Sequence, residues 1–229
     1  MGELSKKRVL LSWSSGKDSA WALYKLQQDP QIEVVALLTT FNSHFQRSAI
    51  HGVRQQLVRA QAAAARLPLV EVGLPWPCSN EQYEQIMGEA LQRISVDYAP
   101  QAIAFGDLFL EDIRAYREQR MASTGLQLLF PLWGMATDTL SREMVDGGLR
   151  AHVATLDPKK LPRHLAGHPY DHPFLQALPD GVDPCGENGE FHTFAWDGPM
   201  FDHPVAIDLG EVVERDGFVY ADLIPAAGN

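Results

Sequence analysis

The chain has only two cysteines, Cys78 and Cys185, and no Cys-x-x-Cys spacing. That scarcity argues against a zinc ribbon and against a disulfide scaffold. Basic charge is also short: 19 Lys and Arg stand against 29 Asp and Glu, a formal net charge of −10. No dense basic block follows Lys6-Lys7-Arg8. An acidic surface repels phosphate backbones, so tight, non-specific nucleic-acid binding is not expected. No apolar run approaches the roughly 20 residues of a membrane span, and no membrane partner is expected. Lys6-Lys7-Arg8-Val9-Leu10-Leu11 faintly imitates a secretory signal, but its apolar run stops at Ser14, Lys17 and Asp18. The cytoplasm is the default location. No internal repeat or low-complexity tract stands out. The 229 residues, 45% hydrophobic and 21% charged, have ordinary globular composition and can bury a real core.

The most informative stretch lies near the start. Val9-Leu10-Leu11-Ser12-Trp13 is a short apolar run, followed by Ser14-Ser15-Gly16-Lys17-Asp18-Ser19. A helical pattern begins at once, with Ala20, Leu23 and Tyr24 at spacings of three and four. Strand, tight turn and helix start aim several backbone N–H groups at one point, backed by the positive end of the helix dipole. Gly16 permits close approach of a ligand, Lys17 adds a cation, and the serines add hydroxyls. All of this suits a phosphate chain. A Walker A loop does not fit, because Leu11 stands where its first glycine belongs and Asp18 follows the lysine. The stretch instead resembles the pyrophosphate loop Ser-Gly-Gly-x-Asp-Ser of ATP pyrophosphatases, with Ser15 replacing the first glycine.

Strand and helix patterns then alternate. Strands are expected at Ile32–Thr40, Leu69–Gly73, Ala102–Gly106 and Leu126–Phe130. Helices are expected at Ala49–Arg66, Glu81–Val96 with Ser79 or Asn80 as cap, and Glu111–Ser123. This argues for a doubly wound, mostly parallel α/β sheet with ligands at the carboxyl ends of its strands. After Pro131 the rhythm changes. A helix is expected at Thr139–Gly147 and a strand at Leu149–Leu156. From Pro158 to Pro204 prolines, glycines and histidines thicken, and short strands are expected at Val205–Leu209, Glu211–Arg215 and Phe218–Leu223. The division expected is a nucleotide-binding domain at 1–130 and a smaller α+β region at 131–229 that binds substrate, with a frayed end from Pro225.

The second informative stretch is Asp183-Pro184-Cys185-Gly186-Glu187-Asn188-Gly189-Glu190-Phe191-His192-Thr193-Phe194. Its density of Gly, Glu, Asn and His suits a cation, magnesium or a nucleophile better than a core. A hairpin turn with solvated carboxylates is the bland alternative.

Together the two stretches resemble the diphthine–ammonia ligase family of ATP-binding proteins, over about Val9 to Phe201. His51-Gly52-Val53-Arg54, Phe105-Gly106-Asp107-Leu108-Phe109-Leu110-Glu111-Asp112-Ile113-Arg114 and Phe130-Pro131-Leu132-Trp133-Gly134 support the resemblance. It implies the adenine nucleotide alpha hydrolase-like fold. It also implies a ligase that adenylates a carboxylate, releases pyrophosphate and passes ammonia to the acyl group, leaving AMP. The substrates implied are ATP, ammonium and a diphthine-bearing elongation factor, with Mg2+ as cofactor. Under that reading Lys17, Asp18, Glu187 and Glu190 are catalytic, and Asp18 is a metal ligand. Ser12, Ser14, Ser15, Gly16, Lys17, Asp18, Ser19, Leu38, Thr39, Gly106 and Asp107 hold the nucleotide. Cys185, Gly186, Glu187, Asn188, Gly189, Glu190 and His192 bind substrate. Larger eukaryotic ligases carry a further domain that is not expected here. A homodimer is left open.

Several residues have plainer readings. Glu111, Asp112, Arg114 and Arg117 suit a solvated helix face with helix-spaced ion pairs. His51 suits a helix cap. His164, His168 and His172 recur at four-residue steps, but Gly167, Pro169 and Pro173 break a helix there, so exposed loop histidines are expected. Trp133 and Trp196 suit core or pocket wall. Two alternatives to the amide ligase remain: another adenylating enzyme of the tRNA thiolation or lysidine type, for which Cys185 would supply sulfur chemistry, and a non-catalytic ATP or AMP sensor.

Overall fold

A computed structural model describes residues 5–44, 47–48 and 52–226. His51 as a helix cap, the first residues of the helix expected from Ala49, and the frayed end beyond Ala226 lie outside the described residues. Strand β1 (Lys7–Ser12) is the centre of the first sheet. It pairs in parallel with β2 (Ile32–Asn42) on one side and β5 (Ala102–Ala104) on the other. β4 (Leu69–Leu74) extends the sheet beyond β2, and β6 (Gln127–Leu129) extends it beyond β5, both in parallel. A two-residue strand, β3 (Arg47–Ser48), pairs antiparallel with the end of β2. The chain order therefore reverses between β1 and β5, which is where a doubly wound sheet opens a crevice for ligand.

Both faces of β1 are buried, as a central parallel strand requires. Val9, Leu11 and Trp13 face one apolar cluster. Leu10 faces the other, together with Ala36, Leu38, Ile103 and Phe105, under Ala90 and Ile94 of helix α3 (Asn80–Tyr98). Ser79 caps α3 through a reciprocal capping box with Gln82. The first cluster continues through helix α1 (Lys17–Gln28) at Trp21 and Leu23 into the second sheet, at Val153, Phe191, Phe194 and Leu223. That sheet is antiparallel, in the order β8 (Phe191–Asp197), β7 (Arg150–Leu156), β10 (Phe218–Pro225), β9 (Ile207–Arg215). Helix α5 (Thr137–Asp146) precedes β7, and Trp21 packs directly on Gly147, leaving no room there for a side chain.

Three differences from the sequence expectations are informative. The second helix, α2, spans Gln55–Ala64, shorter than the alanine-rich stretch that suggested it, since the chain before it pairs with β2. The stretch 158–204 is more regular than its prolines and glycines suggest. It contains β8 and the short helix α6 (His172–Ala177), and β8 is the strand that meets the nucleotide loop. The two strands expected at 205–215 are one continuous strand, β9, whose pairing with β10 shifts register across Gly210 and Glu211 without breaking.

Gln61 of α2 is the joint between the sheets. It has no exposed surface. Its Oε1 accepts from Trp13 Nε1 at 2.9 Å, and its Nε2 donates to the carbonyls of Ser15 and Ala195. A buried amide so fully satisfied is costly to remove, because each orphaned partner loses water as well as protein. Gln61→Leu should lower stability by about 3 kcal/mol in urea unfolding. The exposed neighbour Gln56→Leu should stay within about 0.5 kcal/mol of the parent. Equal effects at the two positions would contradict the joint.

Candidate active site

The loop after β1 is held from within and from β8. Ser14 Oγ donates to Ser19 Oγ at 3.0 Å, and Ser19 Oγ donates to the Gly16 carbonyl at 3.0 Å. Ala195 N donates to the Ser15 carbonyl at 3.0 Å, and Lys17 N donates to Thr193 Oγ1 at 3.0 Å. Gly16 caps α1 with no side-chain hydrogen bond, and with Lys17 N given to Thr193 the rest of the first turn keeps the anion-seeking character of a helix N-terminus. Ser15 sits at φ +73°, a left-handed conformation that glycine adopts without strain. Its Oγ is buried with no partner. The position thus has the backbone of the glycine that the pyrophosphate-loop pattern places there, and the hydroxyl is sealed from any phosphate. Ser15, Lys17 and Ser19 are buried, while Ser12, Ser14 and Asp18 are partly exposed. Gly106 lies against the loop so closely that a Cβ would come within 3.0 Å of the Asp18 carbonyl carbon and the Ser19 nitrogen.

Lys17 is placed differently from a cation facing a pyrophosphate. Its ammonium is 2% exposed and donates to both Asp18 oxygens, at 2.9 and 2.8 Å, and to the Cys185 carbonyl. The rings of Tyr170 and Phe191 flank it, with centroids 5.6 and 5.5 Å away. Burial pushes its pKa down, but Asp18 and the surrounding negative groups outweigh that and hold it above the ordinary lysine value. Burial pushes the Asp18 carboxyl up, against the pull of Lys17.

The Cys185–Glu190 turn closes on the other side of that ammonium. Gly186 has φ +70°, and an added Cβ would strike the Phe191 carbonyl at 2.7 Å. Glu190 is buried, and one of its oxygens accepts from Asp183 N and Asn188 Nδ2, both at 3.2 Å. It braces the turn. Glu187 Oε1 accepts from Leu108 N at 3.0 Å, tying the turn to the strand end that carries Gly106 and Asp107. Burial, with Asp18 and Asp107 nearby, pushes the Glu187 carboxyl up to about 7, although Leu108 N and Lys17 pull it down. Burial pushes His192 down to about 4, so its imidazole is neutral near pH 7. Burial likewise pushes the Cys185 thiol up to about 12. Cys185 is 2% exposed, and its Sγ contacts the Thr137 carbonyl at 3.5 Å. A neutral, enclosed thiol is not a nucleophile.

A cavity of about 600 Å³ opens at the crevice between β1 and β5. Ser12, Ser14, Leu38 and Thr39 line it. Gly16, Lys17, Asp18, Ser19, Gly106 and Asp107 gather instead with the Cys185–Glu190 turn. Asp107 joins the two groups through an ion pair with Arg117 Nε at 3.3 Å, and Arg117 is in the cavity wall. Sequence reasoning missed the far wall, Tyr83 and Met87 of α3 and Tyr116, Arg117 and Arg120 of α4 (Glu111–Met121). Arg114 and Arg117 suited a solvated face, yet Arg114 lies over Phe130 and Trp133 and Arg117 over Phe105; Arg120, not singled out in the sequence, lies over Tyr116. Their three- and six-residue spacing was the available signal. Arg54 spends its guanidinium on Asp222, at 2.6 and 3.1 Å. His164 and His172 are exposed and His168 half-buried, and His172 bonds Asp146 at 2.7 Å.

A doubly wound sheet with a pyrophosphate-type loop at its switch point, bolted to a Gly-Glu-Asn-Gly-Glu turn, defines a nucleotide-binding α/β protein of the PP-loop class. Family comparison takes this one step further. Residues 7–128 match the diphthamide synthase N-terminal domain and residues 136–221 the diphthamide synthase C-terminal domain, so the chain belongs to the diphthamide synthase family. It is 30% identical to a diphthine–ammonia ligase of Bos taurus and 26% identical to that of Mus musculus. Each match covers 93% of this chain and 88% of the relative. Among solved structures, a predicted subunit of tRNA methyltransferase from Methanocaldococcus jannaschii overlaps 64% of this chain and 78% of its own, with a TM-score of 0.43 and 14% identity.

Glu187 gives a pH signature. Between its ordinary value of 4.5 and about 7, the folded chain keeps a proton that the unfolded chain has released. Its contribution to stability is therefore greatest at acid pH and falls as pH rises through that window. The stability of the parent minus that of Glu187→Gln should decline from about pH 5 to about pH 8 in denaturant unfolding. A difference that stays flat or rises would contradict the perturbed carboxyl.

Proposed function

We propose that this chain is an ATP-dependent amide ligase that adenylates a carboxylate, with diphthine on a translation elongation factor as the substrate, and transfers ammonia to it. The observation that carries the reading is the direct bonding of the ATP-type loop to the acidic turn through Lys17, in a chain of the diphthamide synthase family. Residues 1–130 would hold the nucleotide and 131–229 the acyl substrate. The adenosine occupies the β1–β5 crevice, and the triphosphate runs along Ser14 and the first turn of α1.

A carboxylate oxygen of the substrate attacks the α phosphorus, and the bond to the β-phosphate oxygen breaks. Pyrophosphate leaves with the electron pair, stabilised by the N-terminal amides of α1. Ammonium gives a proton to Glu187, whose carboxyl titrates at about 7 and so both accepts and releases it near neutrality. Ammonia attacks the acyl carbon, the nitrogen gives its extra proton to water as the carbon–oxygen bond to AMP breaks with its electron pair leaving on AMP, and the amide and AMP remain. Glu190 braces the turn through one oxygen, while its other oxygen is buried without a hydrogen-bond partner.

Among the described residues, no three or more His, Cys, Asp or Glu are grouped to hold a metal. Mg2+ commonly binds through one or two carboxylates plus phosphate oxygens and water. Asp18, 27% exposed at its side chain, would fit that donor set with one oxygen, keeping the other for the cation now provided by Lys17. When bound, Mg2+ would neutralise phosphate charge. The neutral Cys185 thiol gives no support to a thiolation enzyme.

With ATP, Mg2+, ammonium and diphthine-bearing elongation factor, the chain should release AMP and pyrophosphate in step with amide formation. Glu187→Gln should lower kcat by about 100-fold or more. Release of ADP and phosphate, or full activity in Glu187→Gln, would overturn the reading.

A further inference from the structure

A lysine ammonium has three N–H donors. In Lys17 two are directed to the Asp18 oxygens and the third to the Cys185 carbonyl, while Tyr170 and Phe191 present their rings. Tyr170, Phe191 and Cys185 are each 2% exposed, so this shell is dry on most sides. Asp18, 27% exposed at its side chain, is its contact with solvent. The shell recognises a small cation that donates hydrogen bonds. A free ammonium ion is the same head group with a fourth N–H where Lys17 has its Cε. A quaternary ammonium has no donors and would leave both the carboxylate and the carbonyl unpaired.

The stem of Lys17 starts at the first residue of α1, where the bare N-terminus favours phosphate and disfavours a cation. Polyphosphate at that terminus offers the flexible lysine a larger negative charge than the single Asp18 carboxylate does. Removing Lys17 would then leave Asp18 and the Cys185 carbonyl without their donor.

We propose that the cage formed by Asp18, the Cys185 carbonyl, Tyr170 and Phe191 is the ammonium site, occupied by Lys17 as a placeholder until nucleotide phosphates draw it out. This rests on the ligase reading and adds to it a location for the second substrate and an order, with nucleotide before ammonium. The cage and Glu187, the proton acceptor, belong to one turn, since Cys185 and Glu187 flank Gly186. The same lysine would serve both ends of the reaction in turn.

Thermal unfolding tests this without turnover. The chain is melted in ammonium chloride, sodium chloride or tetramethylammonium chloride at equal ionic strength, with and without Mg2+ and α,β-methylene-ATP. The nucleotide-free parent should show no ammonium-specific shift. Nucleotide-bound parent, and Lys17→Ala without nucleotide, should each gain about 3 °C in ammonium only. If Lys17→Ala does not fold, the nucleotide-bound parent decides. The proposal is overturned if ammonium gives no specific shift with nucleotide bound, or the same shift without it, or if tetramethylammonium acts equally. A failed ligase reading would appear separately, as no amide product with these binding shifts intact.

Discussion

The structure depends on one buried charge. The Lys17 ammonium is nearly without solvent, and its partners come from the first helical turn and from a carbonyl 168 residues further along the chain. A lysine so buried is costly to leave unpaired, and the loss of one partner of a buried pair is far more damaging than the pair's net worth suggests. The requirement that Asp18 and the Cys185 carbonyl stay within reach therefore fixes the nucleotide loop against the acidic turn. Gln61, Thr193 and Ala195 hold the backbone on either side to the same register.

This constraint organises the chemistry into two adjoining compartments. The crevice proposed for the nucleoside lies between β1 and β5, walled by α3 and α4. The acidic turn lies across the loop, where burial lifts Glu187 toward neutrality and keeps His192 and Cys185 uncharged. Asp107 and Arg117 couple the compartments, since the aspartate lies near Glu187 in charge and the arginine lines the crevice. One dense Gly-Glu-Asn-Gly-Glu segment can thus serve both architecture and reaction: Glu190 and Asn188 shape the turn, and Glu187 remains available.

Much of the first sheet was legible because its signals are local. β-branched runs, Ser79 with Gln82, and the glycine and serines after β1 declare strand, cap and loop within a few residues. What was not legible depends on distant partners. Gln61 reads as one polar residue in an alanine- and glutamine-rich helix until Trp13 and Ala195 are seen beside it. β8 hides behind a motif whose glycines and carboxylates read as loop, although Phe191 to Ala195 is largely buried. Arg114 and Arg117 of α4 look solvated until the rings beneath them appear. Cys185 was ambiguous between reactive and inert, and only its burial decides.

If the loop and the second sheet are one unit, their connecting amides open together. Native-state hydrogen exchange reads this directly, through Lys17 N, which donates to Thr193, and Ala195 N, which donates to Ser15. The account predicts the same opening free energy for both, close to that of global unfolding. If the two amides exchange through separate, low-energy openings while the core of β1 stays protected, the loop is not anchored by the buried lysine and the account is wrong.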